Sequence, residues 1–71
     1  MPYYNLLVVD ENRILATAAK HREDALAIFG KELGLRLTLQ GQDTPASYLL
    51  HEWHESPHWV RPTIPVFEIA N

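Results

Sequence analysis

Cysteine is absent from all 71 residues of this chain, and at that size the absence decides how the fold must be held together. Domains this small bury only about 60% of the surface of their unfolded chains. Many therefore add disulfides, a metal or a partner subunit. Disulfides and thiolate metal sites are both excluded here. What remains is a well-packed core, a histidine–carboxylate metal site, or self-association. A hydrophobic fraction of 46% is ample for a core, so residues 1–71 read as one small folded domain.

The hydrophobic pattern changes period along the chain. Tyr3 to Val9 is aromatic and β-branched, Asp10 to Arg13 is a polar turn, and Ile14 to Ala19 is again apolar. Together they predict a β-hairpin. From His21 to Leu33, Ala25, Leu26, Phe29 and Leu33 recur at helical spacing. Glu23 and Asp24 suit the positive end of that helix, and Gly34 suits its C-terminal cap. Gly30 inside the helix costs about 1 kcal/mol against alanine and so is expected to mark close packing against the sheet. Leu35, Leu37 and Leu39 alternate with polar residues as in a half-buried strand. Thr44 and Pro45 form a matched helix start. They predict a second helix to Glu55, with Leu49 and Trp53 on the core and Leu50 beside them. Pro57 stops that helix, and Pro62 and Pro65 each remove a ladder donor, so Trp59 to Pro65 is expected to be an irregular or edge segment. Val66 to Ile69 closes the chain as a short strand, with Val66 and Phe67 buried. The expected fold is α+β: a two-layer domain of order β-β-α-β-α-β, mainly antiparallel, with both helices on one face of the sheet. A right-handed crossover from the second strand places the third beside the first.

Charge narrows the partners. The net charge is −3, and the six basic residues are scattered from Arg13 to Arg61. Nucleic-acid binding, which depends on clustered Lys and Arg, is disfavoured. Protonating the four histidines takes the formal charge from −3 to +1, within reach of mild acidification. No apolar run approaches the ~18 residues of a membrane span, and Met1-Pro2-Tyr3-Tyr4 lacks a signal-peptide profile. The expectation is a soluble cytoplasmic protein without a membrane role.

The densest chemistry lies in His51-Glu52-Trp53-His54-Glu55-Ser56-Pro57-His58-Trp59, nine residues holding three of the four histidines and both tryptophans. Tryptophan supplies large contact area with one polar handle, and Arg61 suits a rim position or cation–π stacking. His51, Trp53, His54, His58, Trp59 and Arg61 are therefore the expected binding surface. The alternative is a zinc site with His51, His54 and His58 as ligands and Glu52 or Glu55 supplying oxygen. The spacing His-Glu-Trp-His falls one residue short of the metalloprotease pattern. Ser47 and Ser56 are the only serines and neither sits in a nucleophile motif, cysteine is absent, and a chain this size has little room for a substrate pocket. An enzyme is disfavoured and no cofactor is expected, zinc being the sole candidate. The edges of the Leu35–Gln40 and Val66–Ile69 strands are further places where another chain could pair.

Tyr3-Tyr4 through Val8-Val9, a polar turn, a second strand and Glu23-Asp24-Ala25-Leu26 are similar to the strand–strand–helix start of small bacterial antitoxins of the HicB type. The resemblance covers less than half of the chain, and the glycine-rich, proline-containing stretch before the helix is missing. It implies an acidic partner that masks a basic protein. The residues themselves point to a non-enzymatic binding module acting on a protein partner or on a second copy as a homodimer.

Overall fold

The computed structural model describes residues 1–41, 46–53 and 63–69. Strand β1 (Tyr3–Val8) and strand β2 (Arg13–Ala18) form the expected hairpin. A 3-10 turn over Val9–Glu11 joins them, and Asn12 closes it in the left-handed conformation at φ 50°. Asparagine tolerates that conformation better than other side-chain-bearing residues, which is why a four-residue loop works here without glycine.

Helix α1 (Arg22–Leu33) follows and buries Ala25, Leu26, Phe29 and Gly30. Its end is a Schellman turn. Gly34 adopts φ 74°, the Gly34 N–H donates to the Lys31 carbonyl, and the Leu35 N–H donates to the Gly30 carbonyl at 2.9 Å. The close approach at Gly30 is made by this turn, not by the sheet: a Cβ there would lie 2.5 Å from the Leu35 carbonyl oxygen.

Strand β3 (Leu37–Thr38), strand β4 (Tyr48–Trp53) and strand β5 (Ile64–Glu68) complete a five-stranded antiparallel sheet of order β2-β1-β4-β5-β3. The element order among the described residues is β-β-α-β-β-β. This corrects the expected second helix. Residues 48–53, placed on it by their i, i+4 spacing, are a strand paired along its whole length with β1 from Tyr48↔Val8 to Trp53↔Tyr3. Thr44 and Pro45, its start signal, lie outside the described residues. The expected neighbour of β1 is corrected too. β1 lies between β2 and β4, while among the described residues β3 pairs only with β5 at the opposite edge. The geometry is simple: a twelve-residue helix is about 18 Å long, close to the ~19 Å between the outer strands of a five-stranded sheet. Accordingly α1 contacts both β2 and β3.

Pro65 stands inside β5, an interior strand between β4 and β3, where the sequence predicts an irregular or edge segment. The ladder explains its tolerance. Tyr48↔Val66 and Leu50↔Ile64 use the β4 side of β5, and the Ile69 N–H donates to the Arg36 carbonyl on the β3 side. The absent Pro65 donor therefore faces β3, at a level where that strand has ended and the Gln40 N–H has turned to Thr38 Oγ1.

One face of the sheet carries α1. Tyr4, Leu6 and Val8 of β1, Leu15 of β2, Tyr48 and Leu50 of β4 and Val66 of β5 pack there with Ala19, Ala25, Leu26 and Phe29. Leu33, Leu35, Leu37, Leu39 and Ile64 seal its rim.

Candidate functional site

Period-two alternation splits the predicted cluster across the sheet. Leu50 and Glu52 point to the helix side, and Leu50 is fully buried. Leu49, His51 and Trp53 point to the opposite face, where all three are half-buried. Leu49 and Trp53 thus lie outside the α1-side core in which the helical spacing placed them.

Glu52 is the one buried charged residue among those described. Arg22 Nε donates to its Oε2 at 3.0 Å, tying the first turn of α1 to β4. The Tyr4 hydroxyl also hydrogen-bonds to this carboxylate. Burial first, then the adjacent Glu52 charge and this hydrogen bond, push the Tyr4 pKa above its ordinary value. The trio is a satisfied polar cluster within an apolar core. Glu52 is also unable to join His51 around one ion, since neighbouring strand residues face opposite ways.

The face opposite α1 is formed by Tyr3, Asn5 and Leu7 of β1, Ile14, Ala16 and Ala18 of β2, Leu49, His51 and Trp53 of β4, and Pro65 and Phe67 of β5, with Thr38 of β3 beyond them beside Phe67. None of these side chains carries a formal charge at neutral pH. The Tyr3 and Trp53 rings stack across β1 and β4, with centroids 4.7 Å apart and planes at 24°. His51 sits opposite Asn5, and Leu49 opposite Leu7. At the β5 end the Phe67 ring lies against the Gly41 backbone. At the β2 end Ile14 is 67% exposed.

Of the expected surface, the structure therefore places His51 and Trp53 together on one face. His54, His58, Trp59 and Arg61 lie outside the described residues, as do two of the three candidate zinc ligands. Among the described residues no group of three or more metal-ligating side chains converges, and no helix is long and apolar enough to cross a membrane. Sequence reading missed Tyr3, Leu7 and Leu49 as members of this surface. The signal was the alternation Leu49–His51–Trp53, overshadowed by the helical spacing of Leu49 and Trp53.

A cleft of about 550 Å³ opens between α1 and the 35–40 segment. It is lined by Leu26, Ala27, Leu35, Leu37 and Leu39, with Glu23 and Arg36 also present. Among the described residues its lining contains no histidine, and it is continuous with the core rim.

No protein-family model, curated protein or solved structure matches the chain.

Proposed function

We propose that the chain is a non-enzymatic binding module that engages a protein partner through the open face of its sheet, centred on Tyr3, His51 and Trp53. The observation that carries this reading is the composition of that face. Eleven side chains on four strands include two stacked aromatics and several aliphatics but no Asp, Glu, Lys or Arg. A sheet face meant for water normally alternates with charged and polar residues. Apolar patches rimmed by polar residues are characteristic of interaction sites. The partner that fits is a protein presenting an uncharged apolar surface, with His51 and Asn5 supplying polar contacts. The proposal extends to His54, His58, Trp59 and Arg61 on their sequence proximity alone.

Site-specific photocrosslinking in cells tests it. A benzophenone side chain at His51 is expected to capture a discrete protein, while one at Ile28, on the exposed side of α1, is expected to capture none. With the captured protein purified, Trp53→Ala should weaken binding by about tenfold or more. Equal capture from both positions, or an unchanged affinity, overturns the reading.

A further inference from the structure

We propose that two copies of this chain pair edge to edge through β2, antiparallel across a two-fold axis at Ala16, to make one continuous ten-stranded sheet. The ladder fixes which groups are available. The Ala19 N–H donates to the Pro2 carbonyl, and the Val9 N–H donates to the Ser47 carbonyl. With the registers of β1 against β2 and β4, these bonds set the alternation: Arg13, Leu15, Thr17 and Ala19 bond towards β1. Ile14, Ala16 and Ala18 consequently aim their N–H and C=O groups away from the sheet, six groups in all. All three residues are exposed. Among the described residues no hydrogen bond reaches those groups.

Sheet edges are usually blunted by charge, proline, a bulge or brevity. The opposite edge meets that standard, because β3 is two residues long. β2 does not: from Ile14 to Ala18 it has no charge and no proline, and its pairing with β1 is unbroken. Its pattern also fits its own copy. A two-fold axis at Ala16 pairs Ile14 with Ala18, Ala16 with Ala16 and Ala18 with Ile14, satisfying all six groups. An axis at Leu15 or Thr17 leaves some of them outside the shared ladder. The large Ile14 side chain then lies beside the small Ala18 on the open face, and Leu15 lies beside Thr17 on the other. Arg13, the one charged residue of β2, faces Ala19 rather than its own copy.

The pairing stands on the edge geometry alone; its consequence for binding rests on the proposed function. Four strands of about six residues make a flat patch of roughly 20 by 19 Å, about 380 Å². That is under half of the ~800 Å² a partner contributes to a standard interface. Two patches joined along β2 reach about 760 Å², so the dimer is the unit with enough face to hold a partner.

Sedimentation equilibrium of the full chain should return twice the 8.2 kDa chain mass. In amide exchange, the Ile14, Ala16 and Ala18 N–H groups should be protected as strongly as those of Leu15 and Thr17. Ala16→Pro removes the outward N–H without touching the ladder to β1, and should weaken the dimer at least about tenfold. Ala16→Lys keeps that N–H but sets two ammonium groups face to face, and should do the same if the proline variant fails to fold. A wild-type monomer at about millimolar concentration, fast exchange at the three amides, or a dimer that persists in a folded variant each overturns the pairing. Crosslinking from His51 reads the open face separately, so failure of the pairing and failure of the proposed function are distinguishable.

Discussion

Tyr4 and Tyr48 lie on the helix-side face of the sheet, 2% and 9% exposed, and both hold their phenolic protons beyond the ordinary pKa of about 10. For Tyr48 the main cause is burial, followed by the charges of Glu68, Glu11 and Asp10. An acid whose pKa is higher in the folded state ionises first in the unfolded chain. Its contribution to stability is complete below about pH 10 and is lost as pH rises through the folded value. The urea midpoint should therefore fall between about pH 8.5 and about pH 11, and by less in Tyr48→Phe. Identical falls in the two proteins would show that Tyr48 carries no share. Tyr4 is a poorer probe, since removing its hydroxyl also takes a hydrogen bond from Glu52.

The strand Tyr48–Trp53 shows what a sequence conceals. The hairpin, α1 and the inward alternation of Leu35, Leu37 and Leu39 were legible because each is written in local spacing. In β4 the inward row is Tyr48, Leu50 and Glu52, and the carboxylate at its end breaks the apolar alternation that identifies a half-buried strand. Its compensation comes from Arg22, thirty residues away, where no periodicity can reveal it. Leu49 and Trp53 meanwhile fit a helix at i, i+4 as well as a strand at i, i+2. Of the binding surface, the aromatic and histidine content was legible; the partition of neighbouring residues between two faces was not. Truncation separates the two geometries. Leu50→Ala should cost about 2–5 kcal/mol as a fully buried deletion. Leu49→Ala, on the half-buried face, should cost roughly 1 kcal/mol or less. Chemical denaturation measures both, and a reversed order would contradict the register of β4.

At the scale of the molecule, the strand order sets β1 in contact with a strand from the far end of the chain. Even at the nearest end of the ladder, forty residues separate Val8 from its β4 partner Tyr48. A fragment ending at Gly41 keeps the hairpin, α1 and β3 but loses Tyr48, Leu50 and Val66 from the core, and with β5 the described strand partner of β3. A lone hairpin is marginal in water, so this fragment should show no cooperative thermal transition by circular dichroism. A sharp melt would mean that the N-terminal half is self-sufficient.

The same strand order bears on how the protein is made. Ribosomes add about 5–20 residues each second, so Tyr48 emerges roughly 2–8 seconds after Val8, its partner in the ladder. Through that interval both flanks of the nascent hairpin are open, one bound for β4 and the other the bare β2 margin. Contacts this distant in sequence are slow to close. Nascent chains crowded on one message can therefore find each other's strands before they find their own. Lengthening the pause before β4 by synonymous codons would aggravate this mispairing without changing a single residue.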